Sequence, residues 1–126
     1  MSNETILTVD DEDMILQIIT DLLSSKGYKV ITAKNGREAI RKSKKCSPDL
    51  IVMDIMMPDL DGPEAAKLLK ENPSTRDIPI LFLSGIVMKE QGKSKQEINV
   101  GGEFYSALAK PFDADELLNT VHKLLE

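Results

Sequence analysis

The stretch Leu50-Ile-Val-Met-Asp54-Ile-Met-Met-Pro58 limits the fold more than any other part of the chain. Its apolar run shows no polar alternation. That is the pattern of a strand covered on both faces, as in a parallel α/β sheet with crossover helices above and below. The run closes on a carboxylate and passes into a proline-containing loop. In open sheets of this kind, ligands and chemistry collect outside the carboxyl ends of the strands. Asp54 falls at that end, where an acid is placed to react rather than to pack.

The rest of the chain supplies neighbours for such a strand. Residues 5–9 read as a first strand running into Asp10-Asp11-Glu12-Asp13. Ile15, Ile18, Ile19, Leu22 and Leu23 then recur at helical spacing up to Lys26-Gly27. Residues 28–33 form a second strand, and Asn35-Gly-Arg-Glu38 opens a capped helix that continues to Lys45. After Asp54, the loop Pro58-Asp-Leu-Asp-Gly62-Pro63 leads into a helix carrying Ala65, Ala66, Leu68 and Leu69, with Pro63 at its first position. Asp59 and Asp61 read as loop solubilisers. Residues 79–83 form a fourth strand ending in Ser84-Gly85. Residues 86–100 are helix-permissive, polar and punctuated by Gly92, and residues 104–109 form a fifth strand before Lys110-Pro111. A capping box of Asp113 with Glu116 starts a last helix, with a stripe of Leu117, Val121, Leu124 and Leu125.

Strand–helix alternation of this kind predicts an α/β fold, a doubly wound five-stranded parallel sheet with right-handed crossovers and helices on both faces. In the order 2-1-3-4-5, the ends of four strands bring Asp10, Asp11, Asp54, Ser84 and Lys110 to one crevice. The clustered carboxylates repel one another and an incoming phosphoryl group unless a cation compensates them. Hard oxygen donors in small number suit Mg²⁺, which keeps waters and favours phosphate oxygens as its remaining ligands. A carboxylate nucleophile attacking phosphorus gives an aspartyl phosphate, and Ser84 and Lys110 are placed to bind its oxygens. With 126 residues, 41% of them hydrophobic and 29% charged, residues 1–126 make one globular domain. The net charge of −5 argues against nucleic acid as a ligand. One cysteine, Cys46, fits a reducing compartment, and no stretch has the length of a signal or a membrane span, so a cytoplasmic protein is expected.

At Val9-Asp-Asp-Glu12, Asp54-Ile-Met-Met-Pro-Asp-Leu-Asp-Gly62, Ser84-Gly85 and Lys110-Pro-Phe112, the sequence resembles the receiver domains of two-component response regulators, whose fold is flavodoxin-like. The resemblance spans essentially the whole chain. It implies phosphotransfer to Asp54 from a histidine kinase or histidine phosphotransfer protein. It also implies Mg²⁺ held by Asp11, Asp54, the Met56 carbonyl and, through water, Asp10, and a cis bond before Pro111. On phosphorylation, such domains switch the surface of their fourth helix and fifth strand. They are phosphoacceptors with slow self-dephosphorylation rather than enzymes. The apolar Met56 and Ile86, two residues beyond Asp54 and Ser84, cannot hydrogen-bond an attacking water, which predicts a long-lived acyl phosphate.

One position departs from that family. Receivers carry Tyr or Phe three residues before the lysine, where this chain has Ala107. Either a shifted register brings Tyr105 to the switch position, or the aromatic readout is absent and the surface around residues 86–107 is rebuilt. The small Ala107 and Ala109 favour the second reading. Two other functions are compatible with the residues: a degenerate receiver that binds partners without phosphorylation, and a Mg²⁺-dependent phosphatase of the haloacid-dehalogenase kind. The phosphatase wants a second Asp two residues after the nucleophile, where Met56 stands. The start at Met1 and the final helix running to Glu126 favour a single-domain regulator that acts by docking.

Overall fold

The computed structural model describes residues 4–84, 95–109 and 112–126. Within them the order is β1 (Thr5–Val9), α1 (Asp13–Ser24), β2 (Lys29–Ala33), α2 (Gly36–Cys46), β3 (Leu50–Asp54) and α3 (Gly62–Glu71). There follow β4 (Ile80–Ser84), β5 (Lys95–Val100), β6 (Glu103–Ala109) and α4 (Ala114–Leu124). The strands form one six-stranded sheet in the order β2-β1-β3-β4-β6-β5. Five of them are parallel neighbours in the expected arrangement.

The departure is β5, which adds to the edge antiparallel to β6. The sheet therefore has six strands and is mixed, where five parallel strands were expected. Its cause is a two-residue turn at Gly101-Gly102, with φ of +60° and +92°. Positive φ at both central residues is the type I′ geometry that joins tightly paired antiparallel strands, and glycine adopts it without strain. The helix-permissive reading of residues 86–100 fails over Lys95–Val100, and residues 85–94 lie outside the described part.

Because the strands alternate, the sheet buries two separate cores. Leu7, Val9, Ile51, Met53, Phe82 and Ala107 face α2 and α3, which contribute Ala39, Ala65, Ala66 and Leu69. Ile6, Leu50, Val52, Leu81, Leu83 and Leu108 face α1 and α4, which contribute Ile19, Leu23, Leu117 and Val121. Every residue of β3 and β4 is buried, as the uninterrupted apolar run requires of a strand covered on both sides. On α1 the buried stripe is Leu16, Ile19 and Leu23, while Ile18 is 44% exposed, so the helix is rotated from the expected face. No helix among the described residues is long and apolar enough to cross a membrane.

Candidate functional site

Register brings the acids together. Val9 of β1 pairs with Met53 of β3, so Asp10 and Asp54 follow at one level on neighbouring strands. Asp54 pairs with Leu83, and Ser84 with Ala109, so the ends of β3, β4 and β6 complete the same edge. Asp10 and Ser84 are fully enclosed, and Asp54 is 5% exposed. Lys110 and Pro111, with the cis bond expected before Pro111 and the cationic role expected of Lys110, lie outside the described residues, as do Gly85 and Ile86.

Backbone hydrogen bonds hold each of these residues in place. The Asp10 amide donates to the Ala33 carbonyl (3.1 Å), and its carboxylate accepts from the Glu12 amide (2.9 Å). That second bond folds the chain back, and the carboxylates of Asp10, Asp11 and Glu12 come within 4.8 Å of one another, the first buried and the others exposed. Beyond Asp54, the Ile55 amide donates to the Leu83 carbonyl (3.0 Å), extending the β3–β4 ladder past the acid. The Gly62 amide then donates to the Ile55 carbonyl (2.9 Å) and closes the loop on itself. Gly62 lies so close that a Cβ there would stand 2.5 Å from the Asp54 carbonyl oxygen and 3.0 Å from the Ile55 Cα. Between these points Ile55 and Met57 turn inward, and Met56 is 59% exposed at the mouth.

Two functions were not read from the loop acids. Asp61, expected only to solubilise, caps α3: its side chain accepts from the Glu64 amide (2.9 Å), and Glu64 answers to the Asp61 amide. The Asp-Gly-Pro-Glu spacing of a capping box was the available signal. Asp59, at φ +71°, pairs with Arg37 of α2 (2.7 Å). Lys34 reaches Asp13 of α1 (2.8 Å) in the same way. In both pairs the hydrogen bond and the neighbouring carboxylate push the pKa of the base upward. These contacts tie the starts of α1 and α2 to the loops around the acids. Glu12 was likewise not expected as a member of the carboxylate group.

Tyr105 does not occupy the switch position. It lies one residue before Ser106, which pairs with Leu81, and so sits several residues along the sheet from the Ser84–Ala109 pair. There it packs edge-on against Phe82 (5.5 Å between centroids, 81°), beneath the Lys70 ammonium, and its hydroxyl donates to Glu103 (3.0 Å). Ala107 faces Phe82 in regular register with no bulge. No aromatic from β6 approaches Ser84 among the described residues.

The donor set fits a hard divalent cation, since it is all oxygen, partly buried and partly open to water. Comparison with known proteins identifies the family. The profile of the response regulator receiver domain family matches residues 6–122. The polar-differentiation response regulator DivK of Brucella anthropi is 31% identical over 123 residues, spanning 97% of this chain and 96% of its own. The chemotaxis protein CheY4 of Vibrio cholerae superposes with a TM-score of 0.81 at 32% identity, covering 98% of this chain and all of that one. The receiver domain of the Pseudomonas aeruginosa sensor histidine kinase PA1611 superposes with a TM-score of 0.81 at 26% identity, with 98% of each chain covered. That structure holds a magnesium ion coordinated in its active site cleft.

Proposed function

The chain belongs to the response regulator receiver domain family, and from that premise we propose that Asp54 accepts a phosphoryl group from the phosphohistidine of a partner histidine kinase or histidine phosphotransfer protein. The observation that carries this reading is an almost enclosed Asp54 at the end of a buried strand, level with the buried Asp10, whose carboxylate in turn lies beside those of Asp11 and Glu12. One carboxylate oxygen of Asp54 forms the new P–O bond. The P–N bond to the donor imidazole breaks, and the imidazole leaves with the electron pair and takes up a proton.

The residues that would hold Mg²⁺ are Asp10, Asp11, Asp54 and the Met56 carbonyl, with Glu12 at the rim. The ion would supply positive charge to the carboxylates and to the phosphoryl oxygens. Ser84 donates its hydroxyl to a phosphoryl oxygen, and Lys110 provides the remaining counter-charge. Met56 offers no hydrogen bond to a hydrolytic water, so the protein is a phosphoacceptor with slow self-dephosphorylation rather than an enzyme. Met14 (73% exposed) and Ile18 (44%), four residues apart on α1, give the phosphodonor an apolar strip to dock on. The output surface is the one that receivers switch at their fourth helix and fifth strand, of which the β5–β6 hairpin is the described part, and the setting is cytoplasmic.

Incubation with Mg²⁺ and a small phosphodonor, followed by intact mass, tests the reading. A gain of about 80 Da, one phosphoryl group, that disappears in Asp54→Asn is the expected result. Continuous phosphate release would instead indicate a phosphatase, and an unchanged mass a degenerate receiver.

A further inference from the structure

We infer that the edge of β5 facing away from β6, unpaired among the described residues, pairs with the same edge of a second copy of this chain, antiparallel and centred on Ile98, to make a weak symmetric dimer. This stands apart from the phosphorylation chemistry. The β5–β6 register runs unbroken from Lys95/Leu108 to Val100/Glu103, and β5 holds neither the proline nor the bulge that usually blunts an exposed edge. Beyond its ladder with β6, β5 makes no backbone hydrogen bond with the described residues. A two-residue turn makes its flanking pair, Val100 and Glu103, a hydrogen-bonded one. Alternation then turns the N–H and C=O of Asn99 and Glu97 outward.

Side chains select the register. Ile98 and Val100 face the α3-side core and are half-buried, whereas Glu97 and Asn99 are exposed on the opposite face. A two-fold axis normal to the sheet keeps faces matched, so only odd residues can oppose odd ones. The Gly102 amide donates to Asn99 Oδ1 (3.1 Å). A backbone amide can only donate, so Oδ1 is the atom of Asn99 turned toward Gly102 and its NH₂ points away as a donor. Centring the axis on Glu97 sets two carboxylates opposite each other. Centring it on Asn99 sets two NH₂ groups together without an acceptor. Centring it on Ile98 places each Glu97 carboxylate opposite the partner's Asn99 NH₂, twice, and aligns about four outward backbone bonds. Among these three centres, only that on Ile98 avoids a clash of like groups.

One strand pair buries less than about 1,000 Å², so the dimer is weak, with Kd on the order of 100 µM. Sedimentation of the full chain across that range, with hydrogen exchange read at the Glu97 and Asn99 amides, tests the pairing. Wild type is expected to associate and to slow exchange at both amides as concentration rises. Asn99→Asp keeps the acceptor for Gly102 but sets a carboxylate against Glu97, and is expected to raise Kd at least about tenfold. Adding Glu97→Lys to it restores association through two Lys–Asp pairs. The pairing is overturned if wild type stays monomeric to about 1 mM, if Asn99→Asp associates as wild type does, or if the double variant stays monomeric.

Discussion

At Gly62 a methyl group has no room. The nearest atoms are the backbone of Asp54 and Ile55, which cannot yield without moving the end of β3. Gly62→Ala is therefore expected to cost about 1–3 kcal/mol in urea unfolding and to slow phosphorylation more than an exposed control such as Lys67→Ala. Equal slowing in both variants would show that the contact does not position Asp54. Tyr105 gives a pH signature. Burial, with the hydroxyl held by Glu103, pushes its pKa from 10.0 up to about 12. A raised folded-state value means the stabilisation is complete below pH 10 and is lost as pH rises through 12. Thermal melts across that window should fall in wild type and fall less in Tyr105→Phe. The strand-end placement of Asp10, Asp54 and Ser84 was legible because an acid or hydroxyl closing an apolar run has few other reasons to be there. The actual place of Tyr105 was not, since it depends on Phe82 and Lys70, which are distant in sequence.

The starts of α2, α3 and α4 each depend on one or two side chains, whereas α1 begins without a side-chain cap. Asn35 accepts from the Glu38 amide (2.8 Å), Asp61 from Glu64, and Asp113 from the Asp115 amide rather than through the box expected with Glu116. Asp61→Ala is expected to lower stability by about 1 kcal/mol in denaturant titration, with Asp61→Asn recovering most of it. Helix caps and apolar stripes are local, so the helices were largely readable. The exception was α1, where Leu16 displaced Ile18 from the core because packing against β2 and α4 sets the rotation. The hairpin was misread for a different reason. Lys95, Gln96 and Glu97 suit a helix locally, and pairing with β6 overrides that preference. Gly101-Gly102 between Val100 and Glu103 was the overlooked signal. Gly101→Ala, placed at φ +60° with open space around it, should destabilise through backbone strain alone. Its measurable effect would be faster hydrogen exchange in β5 and β6 with little change in β1.

The molecule is one sheet with a core on each face, and each face carries a tyrosine as a probe. Tyr105 lies in the α2–α3 core, and Tyr28 packs against the α1–α4 core. Because both cores share the same strands, they are expected to unfold together. In Tyr28→Phe and in Tyr105→Phe, the remaining near-UV signal should fall in step with the far-UV helix signal; separate midpoints would mean the faces are independent. The enclosure of Asp10 and Asp54 at adjacent strand ends has one more consequence. Negative charge confined there opposes folding, so any cation that settles among those oxygens raises the unfolding temperature, by an amount that grows with its concentration over its Kd. Calorimetry can therefore gauge how full the crevice is without any turnover, even in an Asp54→Asn protein that has lost the power to react.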